Sequence, residues 1–216
     1  MRRDLSDSER ALLERRIAEA EKQTGAQIVL ATVRRSDSYA EIPWKAFAIG
    51  ASLAGLFVLL LDLFVLGWLT DMLVLLSVLV ILATGILFVL LSVLSAGFAR
   101  LFLSQSRKEM ETTQYAESLF LSKELFSTEG RKGILLLVSQ FERQVVILPD
   151  KGIRDLLSTD KLKEIIVQMS GHLRQNELGK AMETGLGSIR EALGSPEPGG
   201  SFANELSDEI IEEEGI

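Results

Sequence analysis

Apolar positions along the chain follow three rhythms. Between Ala46 and Ala99 they run nearly unbroken, with Asp62 and Asp71 as the only charges. Elsewhere they recur at helical spacing, as Leu13, Ile17 and Ala20 do, or in short β-branched runs such as QIVLATV, Gln27 to Val33. Helical spacing predicts an amphipathic helix, and a short bounded apolar run predicts a buried strand.

Punctuation sets the element limits. Ser6-Asp7-Ser8-Glu9 has the form of a capping box, and Gly25 ends the helix that it starts. The run KGILLLVSQFERQVVIL is apolar enough for a membrane helix but is broken by Phe141-Glu142-Arg143. It is predicted to be a β-hairpin with strands Ile134–Ser139 and Gln144–Leu148. A lone hairpin is only marginally stable, so it must pair with the strand at 27–33 and be covered by helices. One helix follows Ser158 or Thr159, with Leu162, Ile165, Ile166, Met169 and Leu173 on one face. Ala181, Met182, Leu186, Ile189 and Leu193 mark another, and Phe98 to Phe126 is expected as a long helix carrying Tyr115, Leu119 and Phe126 toward the sheet.

The unbroken block has the length of two membrane spans. Met72 to Ala99 gives about 42 Å of apolar helix against a hydrocarbon core of ~30 Å. Ala46 to Leu61 gives about 24 Å, extended by Trp44 and Trp68, which lie about 36 Å apart as interfacial anchors with Asp62 near one end. Gly50 with Ala54, and Ala51 with Gly55, offer small-residue rows for close helix packing, within the hairpin in preference to dimerisation. Arg34, Arg35 and Lys45 precede the spans, Arg100, Arg107 and Lys108 follow them, and the connecting segment has neither Lys nor Arg. Both termini are therefore expected in the cytoplasm, with a multi-pass inner (plasma) membrane location. Met1-Arg2-Arg3 leads into a charged helix, not the apolar core of a secretory signal.

Charge changes the picture only at the end of the chain. The net charge is −7, yet residues 195–216 carry seven acidic and no basic side chains, leaving the rest near neutral. No basic stripe supports nucleic-acid binding, and the absence of cysteine removes disulfide, thiolate-metal and Cys-nucleophile chemistry. Ser195-Pro196-Glu197-Pro198-Gly199-Gly200 predicts a break, followed by an acidic flexible tail in which Leu206, Ile210 and Ile211 also permit a short docking helix for a basic partner.

Candidate chemistry is sparse. Asp37 and Asp150 are the metal-ligand candidates, one in RSDSY after the first strand and the other in LPDKGI after the hairpin. If those strand ends meet, Arg34, Arg35, Asp37, Asp150, Lys151 and Asp155 would form a small polar site. His172 lacks a second His or Cys, and TGLGSIR at 184–190 matches a phosphate loop only superficially, its glycines being better suited to close helix packing.

The order of a helix, GAQIVLATV, RSDSY, an apolar hairpin, a long helix, KGILLLVSQFERQVVILPDKGI and amphipathic helices resembles the TPM domain family. It is most similar to the bacterial membrane-protein branch in which two spans interrupt the domain. The resemblance implies an α/β class fold, a small α/β/α sandwich interrupted by a two-helix transmembrane hairpin. Acid phosphatase activity and divalent-metal binding occur in some members, and accessory or assembly roles in others. Soluble members often carry Asp-Asn-Gly where this chain has Arg131-Lys132-Gly133. Their Gly-x-Gly after the hairpin is reduced here to Asp150-Lys151-Gly152, and Arg154 occupies a following acidic position.

These features predict parts at 1–43, 44–99, 100–194 and 195–216. The expected function is a non-enzymatic binding, scaffold or accessory module, with a metal-dependent phosphomonoester hydrolase as the alternative. No catalytic or cofactor-binding residue is assigned; Ca²⁺ or Mg²⁺ would be the cation if one binds. The expected partners are the lipid bilayer, a protein reached through the acidic tail and, where it oligomerises, a second copy.

Overall fold

The computed structural model describes residues 5–66, 71–194 and 205–215. Trp68 and the Ser195–Gly200 breaker lie outside the described residues. The elements are α1 (Asp7–Thr24), β1 (Gln27–Arg35), α2 (Glu41–Leu61), α3 (Asp71–Leu94), α4 (Ala96–Ala99), α5 (Gln105–Ser122), β2 (Gly133–Ser139), β3 (Gln144–Pro149), α6 (Thr159–Arg174), α7 (Leu178–Leu193) and β4 (Ile211–Gly215). They divide into two compact units, Met1–Asp37 with Lys108–Ile216, and Ser38–Arg107.

The first unit is an α/β domain around a four-stranded mixed sheet of order β3-β2-β1-β4. β1 and β2 run parallel from Gln27↔Gly133 to Val33↔Ser139. β2 and β3 form the predicted antiparallel hairpin, from Ile134↔Pro149 to Ser139↔Gln144. The period-2 alternation of strands sorts their side chains into two cores. Ile28, Leu30, Ile134, Leu136 and Val138 pack with α1, α6 and α7, whereas Val29, Ala31, Val33, Leu135 and Leu137 pack with Ala116 and Leu119 of α5 and with Leu125. The domain is thus a sheet covered by helices on both faces, which is why β1 and β2 read as continuous apolar runs.

Local chemistry sets the ends of α1. Ser6 Oγ accepts the Glu9 N–H at 3.3 Å, and the Glu9 carboxylate accepts the Ser6 N–H at 3.0 Å, forming the capping box. Gly25 closes the helix in the left-handed conformation, φ 68°, and its N–H donates to Glu21 O. Leu13, Ile17 and Ala20 are buried along one face, as their spacing requires. In α7, a Cβ on Gly185 would lie 2.4 Å from Met169 Sδ and 2.9 Å from Leu136 Cδ1. That glycine lets the helix approach α6 and the sheet.

Two expectations are corrected. The acidic segment is not a tail free of the fold: Ile211–Gly215 adds β4 alongside β1 in parallel, from Ala31↔Ile211 to Arg35↔Gly215. Ile210 is buried in one core, and Leu206 and Ile211 pack against the other. Ile210 and Ile211, which a docking helix would place close together, point to opposite faces when extended, and an adjacent sheet edge selects the strand. The expected long helix, continuing the second apolar span through Phe98 to Phe126, is also interrupted. Ser95 takes an extended backbone, φ −122° and ψ 105°, and caps α4 by accepting the Phe98 N–H; Leu103 is extended again, and α5 starts only at Gln105.

The second unit contains two helices long and apolar enough to cross a membrane, Glu41–Phe64 and Met72–Leu94. α2 and α3 pack through reciprocal small-to-large contacts. A Cβ on Gly50 would lie 2.8 Å from the Phe88 ring, and one on Gly85 would lie 2.7 Å from the Phe47 ring. Gly50 and Ala54 form the buried row of α2, whereas Ala51 and Gly55 are only half-buried. Asp62 opens a π-helical segment, Asp62–Leu66, at the end of α2.

Candidate functional site

Parallel pairing brings the C-terminal ends of β1 and β2 together, the usual place for a ligand site in an α/β sheet. Ser36 follows β1, Ser139 ends β2, Glu142 lies in the hairpin turn, and Thr112 comes from α5. All four are buried. Glu142 accepts the Ser36 N–H at 2.9 Å through Oε1 and the Ser139 hydroxyl through Oε2. Ser36 Oγ lies 3.1 Å from Ser139 Oγ and 3.4 Å from Thr112 Oγ1.

A serine hydroxyl on a carboxylate has the composition of a nucleophile and base. Ser139 and Glu142, however, are 0% and 2% exposed, so an incoming phosphate ester has no path to the oxygen. Their hydrogen bonds tie the hairpin turn to Ser36 at the end of β1. Gln140 and Phe141 donate their backbone N–H groups to Val33 O and Arg34 O. The Gln140 side chain donates to Thr32, and the Arg35 guanidinium stands 4.5 Å above the Phe141 ring.

The opposite end of the sheet is built around Asp150. Arg131 grips its carboxylate from two nitrogens, at 2.6 and 2.8 Å, and the Lys151 N–H donates to it at 2.7 Å. The Arg131 hydrogen bond holds the carboxyl below its ordinary value, helped by the Lys151 N–H and the charges of Arg131 and Arg154 against the effect of burial. The Gly152 N–H donates to Arg131 O, and a Cβ at 152 would stand 2.0 Å from Gly130 O. Arg131 and the Asp150 turn are therefore locked together backbone to backbone.

The candidate ligands do not meet. Asp37 follows the C-terminal end of β1, whereas Asp150 follows β3 beside the N-terminal end of β2. The length of the sheet, about 20 Å, separates those ends. The small polar site conditional on their meeting is not formed, because the antiparallel hairpin returns β3 to the start of β2. Among the described residues no group of three or more His, Cys, Asp or Glu side chains is arranged to hold a metal ion. His172 sits beside Glu177 at 3.1 Å, and Glu177 also takes a 2.7 Å hydrogen bond from Lys180, a local tie between α6 and α7.

A further polar contact lies where α1 and β1 meet the C-terminal segment. Glu21 is 1% exposed and accepts the Ile28 N–H at 2.7 Å. Burial, reinforced by the charge of nearby Asp208 and opposed by the Ile28 N–H, pushes Glu21 up to about 8. The residue pattern gave no warning of Glu21, which stands in a charged stretch of α1, nor of Glu142, which reads as an ordinary turn residue. In both cases the partner is fixed by tertiary packing.

The fold has a counterpart among solved structures. In a comparison with solved structures, the chain matches the NMR structure of the BA42 protein from the psychrophilic bacterium Bizionia argentinensis, with a TM-score of 0.56 and 15% identity over 98% of this chain and 97% of that one. This likeness shows the fold. No curated protein sequence matches. The TPM domain model matches residues 3–61 and 99–192, on either side of the second apolar helix. With most of its length matched, the chain belongs to the TPM domain family.

Proposed function

We propose that the chain is a membrane-anchored TPM domain acting as a non-enzymatic binding or scaffold module, with its apolar hairpin in the inner membrane and both termini in the cytoplasm. The observation that carries the non-enzymatic reading is the state of the carboxylates at the two sheet ends. Asp150 is spent on Arg131 and the Lys151 N–H, and Glu142 on the Ser36 N–H and Ser139 hydroxyl. A metal-dependent phosphatase needs carboxylates presented to a cation or to water, together with charge stabilisation for the transferred phosphoryl group.

Two observations support the membrane reading. Leu53, Leu56, Phe57, Leu59, Leu75 and Leu79 are each more than half exposed, an apolar surface that suits lipid and not water. The strands flanking the insertion also pair with each other, so a chain that leaves the cytoplasm after β1 must return before β2. Two crossings satisfy that requirement, and the Arg and Lys residues flanking the pair favour the cytoplasmic side.

The test is hydrolysis of p-nitrophenyl phosphate by detergent-solubilised protein with Mg²⁺, Mn²⁺ or Ca²⁺. The expected outcome is no turnover above the protein-free rate. Turnover abolished by Asp37→Ala or Asp150→Ala in a folded protein would replace this reading with a membrane-tethered phosphomonoester hydrolase.

A further inference from the structure

The C-terminal segment is attached to the domain in a way that resembles a bound peptide. β4 pairs with β1 over a short register, Ala31↔Ile211, Thr32↔Glu212, Val33↔Glu213 and Arg35↔Gly215. Its alternate side chains are read on both faces. Ile210 enters the core beside α1, and Glu212 pairs with Arg10 of α1 at 2.8 Å; on the other face, Ile211 packs against the second core and Glu213 accepts the Tyr115 hydroxyl from α5. Ahead of the strand, Gln27 Oε1 accepts the N–H groups of both Glu205 and Leu206 at 3.1 Å, and the Glu205 carboxylate takes the Glu129 N–H. The acceptor surface thus combines a strand edge, two apolar sockets and donors matched to acidic side chains.

We propose that the β1 edge from Ala31 to Arg35 is a strand-accepting surface for an extended acidic peptide of a protein partner, and that residues 205–215 are its resident, displaceable occupant. This names a surface for the binding module and rests on that reading. Main-chain pairing supplies affinity in such strand addition, and side chains on alternate faces supply selectivity. Charge complementarity defines the partner: two adjacent β-branched apolar residues followed by three carboxylates meet Arg10, Tyr115 and, 3.8 Å from Glu214, Arg34. Displacement is favoured by the sequence that tethers the occupant, which between 195 and 204 includes two prolines and two glycines. Only four residue pairs join β4 to β1, against seven between β1 and β2, so the occupant is the more weakly held neighbour of that strand. A tethered occupant has a high effective concentration, so a partner peptide must compete with it.

The test uses the full-length protein in detergent and a fluorescein-labelled peptide of residues 205–215. Wild type is compared with Glu212→Lys/Glu213→Lys/Glu214→Lys, whose changes all lie on the occupant and leave the acceptor intact. In the variant, hydrogen exchange at Ala31–Arg35 is expected to accelerate while β2 stays protected. The variant should bind the added peptide at least about tenfold more tightly than wild type does, and a further Arg10→Glu change should remove most of that gain. Unchanged exchange at Ala31–Arg35, unimproved peptide binding by the variant, or equal binding of a scrambled peptide would each overturn the proposal. Those outcomes would reject this surface while leaving the phosphomonoester result, and hence the binding-module reading, untouched.

Discussion

Two carboxyls illustrate how position overrides residue type. Glu21, pushed up to about 8 chiefly by burial, keeps its proton in the folded protein at pH values where the unfolded chain, titrating near 4.5, has released it. Its contribution therefore favours folding most below pH 4.5 and is lost as pH rises from 4.5 through 8. Glu21→Gln retains an acceptor for the Ile28 N–H and removes the ionisation. It should flatten the fall of the unfolding midpoint across that window and, at pH 7.5, raise the midpoint by about 5 °C or more. Thermal melts from pH 4.5 to 8.5 compare the two; parallel slopes would contradict the assignment. Asp150 has the opposite sign. Held below its ordinary 3.8 mainly by Arg131, it favours folding above that pH, and the contribution disappears as pH falls through its folded value. Asp150→Ala should lower the midpoint at pH 7 by about 5 °C, with the gap from wild type closing in acid. An unchanged midpoint at pH 7 would mean that the Arg131 grip does not stabilise the fold.

At the scale of elements, legibility followed how local each signal was. The Ser6 capping box, the Gly25 stop and the hairpin strands are written in residues a few positions apart, and the structure forms them. β4 is not legible because EIIEEEG looks like a solvated acidic run until the β1 edge, nearly two hundred residues earlier, supplies its pairing and Arg10 of α1 supplies a cation. The Arg131 partner of Asp150 was hidden because a carboxylate in a turn reads equally as a metal ligand. The break after α3 is not legible because Ser95 lies within an apolar stretch where only its backbone geometry marks the end. Small residues were more informative: Gly50 and Ala54 do form the buried row of α2. Replacing Gly50 with leucine must displace the Phe88 ring, and overpacking of this kind costs about 1–3 kcal/mol. Gly50→Leu should speed proteolysis between α2 and α3 in detergent and leave hydrogen exchange in β1 and β2 unchanged; protection throughout would show that the helices repack without loss.

For the molecule as a whole, sheet topology constrains membrane topology. β1 lies before the apolar hairpin and β2 after it, yet the two are paired over seven positions, Gln27↔Gly133 to Val33↔Ser139. Any crossing made by Glu41–Phe64 must be reversed before β2, and Met72–Leu94 has the length to do so. A single crossing would put the two strands on opposite sides of the bilayer and split one hydrogen-bonded sheet. Because the chain has no cysteine, single-site labelling can test this directly. Ser8→Cys and Ser207→Cys should react with a membrane-impermeant maleimide only after the cells are permeabilised, whereas Thr70→Cys, between the two apolar helices, should react in intact cells. Labelling of Ser8→Cys and Ser207→Cys on opposite sides would be incompatible with the β1–β2–β4 pairing. Protection of all three in intact cells would keep the sheet but remove the hairpin from the bilayer, leaving its exposed leucines and phenylalanines to be covered by protein.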